Sequence, residues 1–290
     1  MQNGIGINTW VWTSPFGDDQ AALVAHAAQI GFDVFEIAVE DAGLFAGQEL
    51  GAALRANALR PVVCGVFGPT RDLTHEDPKF RQESLAYIAA VLGLCERWGA
   101  RLFAGPMYSA VGKRRRVPPE QRRREWDLAV VGLRKAGAMA ADHGVTLAIE
   151  PLNRFETDLV NTAAQAVSLV DEVDHPNVKI HLDTFHMAIE EHSMLGAITC
   201  AGSRLAHFHA CENDRGTPGS GLVPWEQVAE GLRAVGYAGD LVIESFTPDC
   251  QAIAAAAAIW RPLASSQDAL ARDGLTFLRR LMAAPGTRSA

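Results

Sequence analysis

Eight short runs rich in apolar and β-branched residues recur along this chain, each parted from the next by a stretch long enough for a helix. That alternation constrains the fold more than any other feature. The runs cover residues 5–9, 34–38, 61–67, 101–104, 145–149, 178–182, 205–209 and 241–244. Helix-length segments lie between them, among them 19–29, 78–98, 119–143, 162–173 and 224–235, and a last helix is expected over 252–281. Turn residues mark the returns to strand: Gly31, Gly99, Gly144, Pro176-Asn177, and Gly236 with Gly239. Strand, helix, strand in repetition predicts a parallel sheet, because parallel neighbours need a crossover connection.

An open doubly wound sheet usually has fewer strands and carries a glycine-rich phosphate turn after its first one. Here the first run leads into Asn8-Thr9-Trp10-Val11-Trp12, with no GxGxxG. The prediction is therefore α/β, a closed (β/α)8 TIM barrel, which routinely uses a chain of 290 residues as a single domain, here 1–290. A hydrophobic share of 48% with 21% charged residues suits an ordinary core. The net charge of −8 argues against a nucleic-acid partner, and the one basic cluster, Lys113 to Arg116 with Arg122 to Arg124, reads as a solvated loop and helix face. Five scattered cysteines without a CxxC pair predict neither a disulfide framework nor a thiolate zinc site, which fits a reducing, cytoplasmic setting. No signal-like segment opens the sequence and no apolar run approaches the roughly 20 residues of a membrane span, so no membrane partner is expected.

In such a barrel the reactive groups sit at the carboxyl ends of the strands, where the βα loops converge. Glu150, Asp183, His209 and Glu244 stand at the ends of the last four runs. Any one of them alone reads equally well as the N-cap of the next helix. Four in consecutive units crowd like charges into one mouth, which a bound cation would relieve. Three carboxylates and one imidazole suit manganese, cobalt or magnesium before zinc. His207 shares a strand face with His209, as His181 does with Asp183, but only the later member of each pair reaches the mouth. His181 and His207 are accordingly read as satisfied residues of the barrel interior. His186, Glu156 and Arg215 lie in the loops after Asp183, Glu150 and His209, within reach of a bound substrate.

At these residues the chain resembles the sugar isomerases and epimerases of the xylose-isomerase-like barrel, and among them the ketose 3-epimerases acting on D-tagatose, D-allulose (D-psicose) or L-ribulose. The resemblance runs over nearly the whole chain and is densest over 145–246. It rests on Glu150-Pro151-Leu152-Asn153-Arg154-Phe155-Glu156-Thr157, His181-Leu182-Asp183-Thr184-Phe185-His186-Met187, His209-Ala210-Cys211-Glu212-Asn213-Asp214-Arg215-Gly216 and Ile243-Glu244-Ser245-Phe246. Val223-Pro224-Trp225 is shared more broadly, and Trp260-Arg261 is similar too.

The resemblance implies one divalent ion per subunit, manganese first and cobalt or magnesium next, on Glu150, Asp183, His209 and Glu244. It implies Glu150 and Glu244 as the proton-transfer pair, and Glu156, His186 and Arg215 as the residues that hold a free ketose during C3 epimerisation through a cis-enediolate. A homodimer or homotetramer is implied as well. The 105–117 loop and Trp10, Val11 and Trp12 match no family position residue by residue, and sugar preference is expected to be set there.

Two other readings use the same barrel: an aldose-ketose isomerase moving the proton between C1 and C2, and a lyase of the inosose dehydratase type. An apurinic-site endonuclease would need more metal ligands and a basic surface. A sugar binder without catalysis would have little use for two glutamates against a metal.

Overall fold

The computed structural model describes residues 3–284. All eight expected runs become strands: β1 (Ile5–Asn8), β2 (Val34–Val39), β3 (Arg60–Gly65), β4 (Leu102–Gly105), β5 (Thr146–Ile149), β6 (Val178–Asp183), β7 (Leu205–His209) and β8 (Leu241–Ile243). Each pairs in parallel with the next, and β1 closes on β8 with Ile5 opposite Leu241 and Ile7 opposite Ile243. The result is the expected closed barrel.

The helices are α1 (Ala22–Ile30), α2 (Glu49–Ala56), α3 (Pro78–Trp98), α4 (Pro119–Asp142), α5 (Ala163–Val173), α6 (Thr184–Glu190), α7 (Met194–Ala201), α8 (Trp225–Ala234), α9 (Gln251–Ala256) and α10 (Gln267–Ala283). Local chemistry sets their ends. Asp77 caps α3 by accepting from the Lys79 N–H, Pro78 fills the first helical position, and Gly99 closes the helix at φ +76°. Thr162 and Gln165 form a capping box on α5. Among the described residues no helix is long and apolar enough to cross a membrane.

One expectation is corrected. The last helix, expected over 252–281, is two helices, α9 and α10. Ala258 takes φ +56° just past α9, Pro262 has no N–H to continue a helix, and Ser266 accepts from the Ala269 N–H to start α10 afresh. The break carries Ala254 and Ile259 into a small cluster with Trp10, Ala38, Cys64 and Phe246.

Alternation along the strands sorts the side chains. On β2, Phe35, Ile37 and Val39 join the main core, whereas Val34, Glu36 and Ala38 point the other way. Val34, Val62 and Val242 form a separate apolar cluster. Above it the interior turns polar, with Asn8, Glu36, His181, His207 and His209 all fully or almost fully buried. Barrels are usually filled with branched apolar residues, so this polar layer has to be explained by the site it supports.

Gly105 ends β4 at φ +137°, and a Cβ there would lie 2.9 Å from the Gly65 carbonyl oxygen. Its own carbonyl accepts from the Glu150 N–H at 3.3 Å. Gly105→Ala should therefore cost about 1–3 kcal/mol of stability in urea unfolding, and an unchanged midpoint with unchanged slope would refute this constraint.

Candidate active site

Four strand ends bring Glu150, Asp183, His209 and Glu244 together, none more than 5% exposed. Asp183 is a helix N-cap that still presents an oxygen to the cluster. Its Oδ1 caps α6 through the Phe185 N–H at 2.7 Å, and its Oδ2 faces the mouth. His209 Nδ1 lies 3.6 Å from Glu244 Oε1 and 3.9 Å from Asp183 Oδ2. Ligand atoms of Asp183, His209, Glu244 and Cys211 lie within 4.8 Å of one another, and Glu150, Asp183 and His186 form an overlapping set within the same limit.

One atom of this cluster, His209 Nδ1, fits a metal ligand. His209 Nε2 is 2.7 Å from Glu36 Oε1, while its Nδ1 is buried with no hydrogen-bond partner. Glu36 is an acceptor, so Nε2 carries the proton and a lone pair on Nδ1 can face the two carboxylates. Carboxylate, imidazole, then cation is the arrangement that orients a histidine ligand. Glu36 also accepts from Asn8 Nδ2 and bonds His207 Nε2 at 2.6 Å. Burial would raise the Glu36 pKa, but His209 and His207 outweigh it and hold the carboxyl far below its ordinary value.

The two glutamates are driven in opposite directions. Burial first, then Glu244 and Asp183, pushes Glu150 well above the usual carboxyl range. Burial also works to raise Glu244, but His209 and Arg215 overcome it and hold Glu244 low. One carboxyl thus favours its acid form and its neighbour its base form, the asymmetry a proton-transfer pair requires. For His209, burial opposes the charge, yet Glu36 and Glu244 raise its pKa well above that of a free imidazole, so a proton competes with a metal ion for Nδ1.

Glu150, Glu156, His186, Arg215 and Glu244 line one cavity of about 370 Å³, whose far wall is apolar and includes Trp10, Phe67, Phe246 and Ile253. His186 Nδ1 accepts from the Asn153 N–H at 3.1 Å, which leaves Nε2 as the N–H, 3.7 Å from Glu150 Oε1. Burial, then Arg215, keeps this ring neutral. Glu156 Oε1 accepts from Asn153 Nδ2 at 2.8 Å, and burial raises its pKa. Arg215 Nη1 donates to Asp183 Oδ2 and Glu244 Oε2, each at 2.7 Å, and its guanidinium stacks 3.8 Å from the Phe185 ring centre.

All seven site residues expected from sequence therefore meet here. The 105–117 loop reaches the same cavity through Pro106 and Val111, as Trp10 does from the first loop.

One reading changes and another is qualified. His207 is satisfied by Glu36, but both ring nitrogens of His181 are buried without a hydrogen-bond partner, its Nδ1 standing 3.7 Å from Glu150 Oε2. The basic cluster is solvated as expected at Arg114, Arg115, Arg116, Arg123 and Arg124, all exposed, but part of it is also ion-paired. Lys113 Nζ is 2.7 Å from Asp72 Oδ2, and Arg115 pairs with both Glu125 and Asp158 at 3.0 Å.

Sequence reasoning also missed Glu36 and Glu212. Glu36 could have been noticed as the lone charge inside the apolar run Val34-Phe35-Glu36-Ile37-Ala38-Val39. Glu212 accepts from the Gly219 and Val223 N–H groups and from Trp225 Nε1, fixing the loop that carries Arg215, and a loop glutamate gives no such signal in sequence.

Comparison with known proteins places this architecture. The family described as xylose isomerase-like TIM barrel matches residues 24–281. The D-psicose 3-epimerase of Ruminiclostridium cellulolyticum is 32% identical over 268 residues, covering 91% of this chain and 90% of that protein. A probable ketose 3-epimerase of Synechocystis is 33% identical over 279 residues, 95% of each chain. The crystal structure of D-psicose 3-epimerase with D-tagatose from Clostridium cellulolyticum superposes with a TM-score of 0.88 at 31% identity, covering 97% of this chain and 100% of that one.

Glu36→Ala would leave two buried imidazoles without their shared acceptor. Removing one partner of a buried ionic network costs about 3–5 kcal/mol, and denaturant unfolding should read that loss. A variant as stable as the parent would mean that Glu36 does not organise the interior.

Proposed function

The chain belongs to the xylose isomerase-like TIM barrel family, and on that premise we propose that it epimerises free ketoses at C3, using a divalent ion and two glutamates. The observation that carries the proposal is the unpartnered His209 Nδ1, buried between the carboxylates of Asp183 and Glu244 while Glu36 holds the opposite nitrogen. The relatives named as D-psicose and L-ribulose 3-epimerases support the reaction class and the ketose substrate.

Glu150, Asp183, His209 and Glu244 would hold the ion, manganese before cobalt or magnesium. Such an ion supplies the Lewis acidity that makes a proton beside a carbonyl removable. Glu150 and Glu244 come from β5 and β8 and would serve as the two proton-transfer groups on C3, one giving and one taking. His186 Nε2–H and the Arg215 guanidinium can stabilise negative charge on the sugar oxygens as the cis-enediolate forms. Glu156 would accept a hydrogen bond from a substrate hydroxyl. Arg215 and His186 are almost fully buried, so their charge and dipole act with little screening by water.

The test is a panel of free ketoses incubated with added manganese, cobalt or magnesium, with products resolved as epimers or aldoses. C3 epimers are expected; aldoses would move the assignment to an aldose-ketose isomerase, and a new conjugated product to a lyase. Glu150→Gln and Glu244→Gln should each lower kcat by at least about 10²–10⁴-fold, and turnover in heavy water should place deuterium at C3. Wild-type activity in either variant contradicts the pair.

The metal reading carries a pH dependence of definite sign. His209 and Glu150 have raised pKa values, so ion binding must displace protons, and the apparent Kd for manganese should rise as pH falls. Calorimetric titration at several pH values checks this; an affinity independent of pH would count against these ligands.

A further inference from the structure

We propose that Cys211 is an additional, soft donor to the divalent-ion site, so that the site takes thiophilic ions such as cobalt, zinc or cadmium through sulfur as well as through oxygen and nitrogen. The inference rests on reading Glu150, Asp183, His209 and Glu244 as a metal centre.

Three observations converge on it. Cys211 is a free, fully buried thiol whose Sγ belongs to the same set of ligand atoms as Asp183, His209 and Glu244, all within 4.8 Å of one another. In that set His209 Nδ1 is buried and unpartnered. Finally, a single cationic nitrogen already touches sulfur and both acids: Arg215 Nη1 is 3.2 Å from Cys211 Sγ and 2.7 Å from both Asp183 Oδ2 and Glu244 Oε2. Three acceptors that meet on one positively charged atom converge on a point of the size and sign a metal ion has.

The backbone keeps the thiol there. Thr184 Oγ1 accepts from the Cys211 N–H at 2.8 Å and donates to the Cys211 carbonyl oxygen at 2.6 Å, so the residue is clamped from both sides. Cys64 provides the contrast. It also lines the cavity, but it packs in the apolar cluster with Trp10 and Phe246 and lies outside the ligand set.

The chemistry is a substitution without electron transfer. The thiol releases its proton to solvent, the sulfur gives a lone pair to the ion, and Arg215 Nη1 gives up its contacts with Sγ, Asp183 Oδ2 and Glu244 Oε2 to make room for it. A thiolate shifts preference away from magnesium and manganese and toward softer ions.

Cobalt reports the bond directly, because sulfur ligation adds a charge-transfer band in the near ultraviolet to the visible d–d bands. The full-length protein, Cys211→Ser and Cys64→Ser are each titrated with cobalt(II) alone. The expected result is a charge-transfer band saturating at one equivalent in wild type and in Cys64→Ser, and lost in Cys211→Ser while the d–d bands remain. Visible d–d bands without a charge-transfer band in wild type overturn the sulfur ligand and leave the metal centre standing. A band that survives Cys211→Ser overturns it too. No cobalt binding in wild type overturns the metal centre and the sulfur ligand together. The wild-type spectrum alone decides the matter if the serine variant does not fold.

Discussion

The structure depends on keeping Glu36, Glu150, Asp183 and Glu244 together, all but a few per cent buried, around the mouth and interior of one barrel. Isolated burial of one carboxylate is prohibitive, and several side by side repel one another with little screening. The chain meets this with the Arg215 guanidinium, which spans Asp183 and Glu244, and with the His209 imidazole, whose Nε2–H goes to Glu36. The polar interior that sets this barrel apart from an apolar one follows from that requirement. Glu36 and Asn8 lie beneath the mouth because the imidazole above them needs an acceptor.

Around this centre the polypeptide spends ordinary structural devices on orientation. Asp183 is fixed by capping α6, Arg215 by stacking on Phe185 and by a loop pinned through Glu212, and His186 by the Asn153 N–H. None of these holding groups needs to touch a substrate. They remove rotamer freedom in advance, which is how a site becomes preorganised for charge that develops during a reaction. The apolar wall of the cavity, with the Trp10 and Phe246 rings 5.4 Å apart and tilted by 32° and α9 behind them, offers shape where the opposite wall offers charge.

How much of this the sequence disclosed depends on range. Strand alternation with period two is local, so the eight strands and the inward direction of Glu150, Asp183, His209 and Glu244 could be read directly. Parallel closure then brings those strand ends to one face without further information. The partnership of Glu36 with His209 spans the barrel, from β2 to β7, and no local pattern announces it. The unpartnered ring of His181 is invisible in sequence for the same reason, since whether a buried imidazole finds a partner depends on the strands across from it. The split between α9 and α10 was in principle visible at Pro262, but the helical composition of Ala254 to Ala258 outweighed it.

The proposed divalent ion would sit where His209 Nδ1, Asp183, Glu150 and Glu244 converge. Crystals grown with manganese and measured near the manganese absorption edge test it most directly. One strong anomalous peak per chain is expected, bonded to His209 Nδ1 and to oxygens of the three acids, with Glu36 still on His209 Nε2. Manganese bound elsewhere on the chain, or a mouth in which Arg215 alone bridges Asp183 and Glu244 at saturating manganese, would contradict it.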